Sequence, residues 1–474
     1  MKKILTLIIT LTLVYAGNSQ GFQVTLHTPN YKSGLAYLTY WFGNNRNIED
    51  SAVVNQKGIA VFAKNQTLLP GIYTIVFPGK NKLLDFFVDK EQIITITADT
   101  GHLLNAVVSG KENPLFFQYQ RYISIKGAQL QSEHEAFSNS KTKKDSLLHE
   151  KNYNELNKQL SQYRENVIVQ NPQSMLAVLF KSMKEPIPPI SKPRTRNDSI
   201  TNYNYYKKHY WDGITFMDNR IIRTPFFLPK VEKYFRDIIV PSADSIIFES
   251  DYLLLLARTN TEMYKFLLNW LTDEYIYPKY MGQDAVFVHL FERYHSKGIS
   301  NWLNEKQLTT ISNRAYMLMA NLIGEKAADL EMVDSTGKPS NLYDLKAEYT
   351  IVVFWDPTCS HCKEEVPKLD SIYREKWKSH GVKIYGVLTE DERPKWIQFI
   401  KEKKLFDWVH VYQTDAIRKA EASSQKPGFR QLYDVTQTPI LYLLDQDKRI
   451  IAKKLTWQQM DDVLQVKFKN KQAN

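Results

Sequence analysis

The sequence predicts a multidomain protein with an N-terminal all-β sandwich, a central all-α domain and a C-terminal α/β fold. Three observations carry this. Short strand-like runs separated by turn signals fill the chain to about residue 110. Apolar and aromatic side chains then take up helical spacing from Asn113 to about Ile323. Beyond Gly324, buried-strand patterns alternate with helical ones. A length of 474 residues leaves room for roughly two to four domains.

Residues 1–19 read as a secretory signal. Lys2 and Lys3 supply a charged start, Ile4 to Val14 an apolar run, and Gly17 and Ser19 the small residues of a cleavage site before Gln20. The run is short for a membrane span. It contains no cysteine, so the lipid attachment of lipoproteins is not expected. The expectation is a periplasmic or secreted protein with its signal peptide cleaved.

Residues 20–110 form the expected β domain. Leu35–Trp41, Ile59–Ala63, Ile72–Phe77, Leu83–Val88 and Gln92–Thr97 are its strand candidates. Gly43-Asn44-Asn45, Leu69-Pro70-Gly71 and Pro78-Gly79-Lys80 are its turns. Strands this short and evenly spaced suggest a small antiparallel sandwich.

Residues 111–323 form the expected helical domain. Asn113-Pro114 opens a segment with Leu115, Phe116, Tyr119 and Tyr122 at helical spacing. A charged helix follows from Asp145 to about Gln170, and Glu185–Pro193 is too proline-rich for regular structure. Helical patterns resume from Tyr203 and continue to Leu322. His289, Glu292 and His295 do not converge on one helix face, so no metal is expected there.

Residues 324–474 form the expected α/β domain. Tyr349–Trp355 is a buried strand, Cys359 to about Trp377 a helix, Val382–Leu388 a strand, Pro394–Lys403 a helix, and Trp408–Tyr412 a strand. A helical stretch runs to Tyr433. Thr438-Pro439 then precedes Ile440–Leu444, Arg449–Lys453 pairs back, and a last helix starts at Trp457.

Net charge is +11. No basic run interleaved with aromatics tracks a nucleic-acid groove, so a role with DNA or RNA is excluded. Cysteine usage is more telling. The chain has two cysteines, Cys359 and Cys362. Structural staples join distant segments, and a loop this small staples almost nothing. The pair makes sense as a reversible dithiol. A helix starting near Cys359 would offer unpaired N–H groups and a favourable dipole to its thiolate, the reactive species. Cys362, one turn on, is placed to resolve a mixed disulfide. His361 between them would favour the thiolate and make the pair more oxidising.

A βαβ unit followed by a hairpin and a helix, carrying these motifs, resembles the TlpA/ResA branch of thioredoxin-like proteins. Phe354-Trp355 and Cys359-Ser360-His361-Cys362 match its aromatic strand end and active site. Pro367 matches the proline of its active-site helix, Asp334-Ser335-Thr336-Gly337 the turn of its N-terminal hairpin, and Glu365 its acidic position after the second cysteine. Thr438-Pro439 matches its cis-proline segment, which holds substrate backbone. The resemblance implies thiol–disulfide exchange with protein disulfides or dithiols, no cofactor and no metal. It also implies an upstream redox partner embedded in the membrane. Trp355, Thr438 and Pro439 become the expected substrate contacts, and His361 and Glu365 the tuning groups. Two positions depart: Thr358 stands where the branch often has tryptophan, and Val353 where cytoplasmic thioredoxins carry a buried aspartate. The segments before residue 324 resemble uncharacterised β and helical modules of exported Bacteroidetes proteins, chiefly through Arg223-Thr224-Pro225-Phe226-Phe227.

Other chemistry fits less well. A zinc site needs further ligands, yet there is no other cysteine, and His380 and His410 are isolated. A peroxidatic cysteine would want Pro and Thr where Val352 and Asp356 stand. A binding or assembly protein that uses the last domain as an interaction module stays open as the alternative.

Overall fold

A computed structural model describes residues 21–424 and 426–472, the side chain of Gln472 excepted. The expected signal segment lies outside the described residues. These residues gather into two compact units, one of 21–239 with 256–264, the other of 240–255 with 265–472.

The first unit contains two four-stranded sheets. One runs Ile59–Lys64, Phe22–His27, Ile93–Thr97, Val107–Val108; the other runs Asn45–Val53, Leu35–Phe42, Gly71–Val76, Leu83–Val88. Alternating side chains such as Val24, Leu26, Leu38, Phe62, Ile75 and Phe86 fill the core between them. Pairing is antiparallel except for Phe22–His27 against Ile93–Thr97, which is parallel, a departure from the expected antiparallel sandwich. That parallel pair brings an early strand beside a late one, an arrangement strand spacing does not reveal.

Helices Asn113–Ser138 and Lys143–Gln170 follow. Asn113 docks the first of them: its side chain accepts from Phe87 N at 2.8 Å and donates to Phe87 O and Ser109 O at 3.0 and 2.9 Å. Phe116, Phe117 and Phe180 extend the sandwich core. Glu185–Pro193 contains no helix or strand, as its prolines require. Helix Arg196–His209 then starts from a Thr195–Asp198 capping box.

The second unit is built on a six-stranded sheet, in the order Ile450–Lys453, Ile440–Leu444, Tyr349–Trp355, Val382–Leu388, Val409–Tyr412, Val333–Asp334. Tyr349–Trp355 lies in the middle, parallel to Val382–Leu388 and antiparallel to Ile440–Leu444. Both of its faces are buried, which explains its unbroken apolar run. Ile351, Val353 and Trp355 meet one core, with helices Ser360–Ile372, Arg393–Lys403 and Trp457–Gln472; Val352 and Phe354 meet the other. Expected strand and helix bounds hold to within a few residues, except that Lys426-Pro427-Gly428 separates Asp415–Ser423 from Phe429–Leu432.

Helices of residues 243–319 belong largely to this unit. Arg314 Nη1 meets Asp434 Oδ1 at 2.6 Å, and Lys454 pairs with the same carboxylate. Lys453 pairs with Asp284 and reaches Asn321 Oδ1 at 2.8 Å. Among the described residues, no helix is long and apolar enough to cross a membrane.

Candidate active site

The central strand ends at Trp355, and the chain turns through Asp356-Pro357-Thr358 before helix Ser360–Ile372. Asp356, only 7% exposed, organises that turn. Its carboxylate accepts from Thr358 N at 2.8 Å and from Thr358 Oγ1 at 2.7 Å, and its carbonyl accepts from Cys359 N at 3.3 Å. This is an Asx-type turn, and it fixes Cys359 as the residue that caps the helix, in extended backbone. Pro367 lies inside the helix, where it cannot donate to the carbonyl of Lys363.

Both cysteines are free, Cys359 half-buried and Cys362 buried. The Cys359 thiol donates to Thr438 O at 3.4 Å, and the Thr438–Pro439 peptide is cis. Strand, helix and cis-proline segment thus meet at one sulfur. The two thiols are driven apart. Burial acts to raise Cys359, but hydrogen bonds from the Thr438 side chain and from Cys362 and His361 backbone N–H groups outweigh it, and the Cys362 thiol adds another; Cys359 is held below the ordinary thiol range. Burial pushes Cys362 up to about 12.

The other expected site residues divide. His361 is exposed, and the group it turns to the sulfur is its backbone N–H. Glu365 pairs with Lys368 at 2.9 Å and lines, with Pro439, a cavity of about 230 Å³. Trp355, expected among the substrate contacts, is 0% exposed. Its ring packs on Phe399 at 5.4 Å and lies edge-on to His410 at 6.3 Å. A partner cannot touch it; it supports the turn from below. Gly386 makes room for it, since a Cβ there would lie 3.2 Å from Trp355 Nε1 and 3.3 Å from His410 Nδ1.

Sequence reading missed Asp356 as a member of the site. The Asp-x-Thr spacing just before the first cysteine was its signal. Elsewhere, His289 bonds to Asp251 at 2.9 Å, and His295 is held between Thr272 and Ser300 at 2.9 and 2.8 Å. Among the described residues, no group of three or more His, Cys, Asp or Glu side chains is placed to hold a metal ion.

Comparison with known proteins agrees with this geometry. Residues 323–453 match the AhpC/TSA family model. The thiol-disulfide oxidoreductase ResA of Bacillus cereus is 26% identical over 146 residues, 30% of this chain and 77% of the relative. That of Bacillus subtilis is 27% identical over 131 residues, 27% of this chain and 64% of the relative. Among solved structures, a domain of a "possible thiol-disulfide isomerase" from Cytophaga hutchinsonii is 36% identical, with a TM-score of 0.28, covering 32% of this chain and 97% of its own. A thioredoxin-like protein from Bacteroides caccae is 20% identical, with a TM-score of 0.43, covering 60% and 98%. Residues 323–453 thus form a thioredoxin-like domain of the thiol–disulfide oxidoreductase kind, similar to the ResA proteins.

Proposed function

We propose that the chain is an exported oxidoreductase that exchanges disulfides with protein substrates through Cys359 and Cys362. One observation carries the reading: two thiols one helical turn apart are shifted in opposite directions, the accessible one down and the buried one up. Such a pair divides the labour of exchange. Cys359, half-exposed and favoured toward its thiolate, attacks as that thiolate on a substrate sulfur and releases the other as a thiolate. Cys362 stays protonated until the mixed disulfide forms, then loses its proton and attacks Cys359 Sγ. Two electrons pass from the dithiol to the substrate; the Cys362 proton leaves to solvent, and the two released substrate thiolates take up their protons from solvent. The reverse sequence oxidises a substrate dithiol.

Thr438 and Pro439 hold the substrate backbone beside the sulfur. His361 stabilises the Cys359 thiolate and raises the potential of the pair. Glu365, at the mouth of the cavity it shares with Pro439, relays the Cys362 proton to water. Export rests on the leader-like residues 1–19. Residues 20–110 and 111–323 act as modules that select or position a partner for the domain of 324–474. A membrane-embedded redox protein completes the cycle upstream, and no cofactor takes part. In cells carrying Cys362→Ala, mixed disulfides should accumulate on Cys359 and be released by reductant. A variant that captures nothing, while the wild type is present at the same level, would refute the reading.

A further inference from the structure

Two cavities in the second unit share a wall. The smaller, about 230 Å³, lies beside Glu365 and Pro439. The larger, about 600 Å³, lies between the segment 277–282 and the loop that leads from Asp434 to Gln437. Thr436, Gln437, Lys454 and Leu455 line both. The two cavities therefore adjoin. The smaller reaches Pro439 of the cis-proline segment, whose Thr438 carbonyl meets Cys359 Sγ at 3.4 Å, and the larger reaches Tyr277 and Met281.

The far end has a definite chemistry. Tyr277 and Tyr280 are 69% and 65% exposed, and Met281 is 43% exposed. Arg314 sits 4.9 Å over the Tyr277 ring. The charges do not balance. Lys368 answers Glu365 and Lys453 answers Asp284, but Arg314 and Lys454 share the single carboxylate of Asp434, and an exposed Lys279 lines the larger cavity. The walls therefore carry an excess of positive charge beside open aromatic faces.

We propose that the two adjoining cavities form one groove that holds an extended segment of the substrate protein next to its reactive cysteine, and that it selects segments bearing Asp or Glu. This rests on Cys359 being the attacking nucleophile. An extended segment fits because its backbone stays open to Thr436–Thr438 while alternate side chains reach the walls. Acidic side chains fit because Arg314 and Lys454 meet one carboxylate, and charges that close escape most of the screening of physiological salt, whose length is ~8 Å. Selection then acts on the rate of forming the mixed disulfide.

The test uses the reduced full chain and three peptide disulfides that differ only in the residues flanking the cysteine: Asp/Glu, Asn/Gln or Lys. Hydroxyethyl disulfide, small and uncharged, serves as the reference for each protein. The acidic peptide should react about fivefold faster than the amide peptide at low ionic strength, with the gap closing at high salt. Lys279→Glu should cut the acidic-to-lysine rate ratio severalfold, each rate taken relative to hydroxyethyl disulfide. Equal rates for the three peptides, or a ratio unmoved by Lys279→Glu, would overturn the proposal. Failure to react with any disulfide, the small one included, would instead sink the nucleophile assignment and take this proposal with it.

Discussion

An alkylating agent should tell the two thiols apart. Cys362 is pushed by burial from an ordinary 9.0 to about 12. Three units at ~1.4 kcal/mol each amount to roughly 4 kcal/mol against its thiolate. Near neutral pH, that lowers its ionised fraction about a thousandfold relative to an ordinary thiol. Cys359 moves the other way, held down by hydrogen bonds from Thr438 and from the N–H groups of Cys362 and His361. The variants Cys362→Ala and Cys359→Ala each leave one thiol. Removing Cys359 takes away its own contribution to the Cys362 shift, but burial is the larger cause and remains. Second-order rate constants with iodoacetamide, followed by intact mass across about pH 5 to 10, provide the assay. With Cys359 alone, the rate should climb through a midpoint below the ordinary thiol range and level off. The plateau should be modest, because a low-pKa thiolate is a weaker nucleophile. With Cys362 alone, it should be slower by at least about two orders of magnitude at neutral pH. If the two variants share a midpoint, or react within a few-fold of each other, the reasoning about burial and amide donors is wrong.

Replacing His361 with proline removes both the imidazole and the N–H that faces Cys359 Sγ. The reduction potential should fall by about 30 mV for each pKa unit lost, as read by equilibration with glutathione, and an unchanged potential would count against the tuning role. Asp356→Ala frees Thr358 from two hydrogen bonds, so exchange should slow severalfold while Cys359 still alkylates to completion. His295 and His410 are lowered by burial to about 4. Depressed folded values mean stability that is complete above the unfolded pKa of ~6.5 and lost as pH falls toward 4. Each neutral histidine should therefore forfeit about 2–3 kcal/mol near pH 4.5, visible as a lower urea midpoint, and His295→Gln should flatten that dependence. Arg314→Met leaves the buried Asp434 with Lys454 alone and should destabilise the second unit by about 3 kcal/mol, seen as a lower midpoint for the transition that reports its tryptophans.

The C-terminal sheet was legible because its strands are buried on both faces. Ile351–Trp355 can only be a continuous apolar run, and Thr438-Pro439 marks the break before Ile440. The paired cysteines announced their chemistry through scarcity and spacing. Asn45–Val53 was not legible, since its side chains NRNIEDSAV sit at a sheet edge and carry no apolar alternation. Phe22–His27 does alternate, but a reading centred on turn signals began with Leu35. Trp355 was misread for a different reason. An aromatic at a strand end beside an active site suggests a contact surface, yet direction depends on the pleat, and the odd-numbered side chains of that strand all point into one core. Asp356 was overlooked because its work is local hydrogen bonding to Thr358, which leaves no periodic trace. The Arg314–Asp434 pair joins residues 120 apart in sequence, a distance at which single-sequence patterns are silent.

Insulin-disulfide reduction, run with the full chain and with Cys359→Ser, bears most directly on the central claim. Reduction should be catalysed by the wild type and fall to the uncatalysed rate in the variant. Activity that survives the substitution, or that is absent from both proteins, would contradict the assignment of Cys359 as the nucleophile and favour a chain that uses its thioredoxin-like domain to bind.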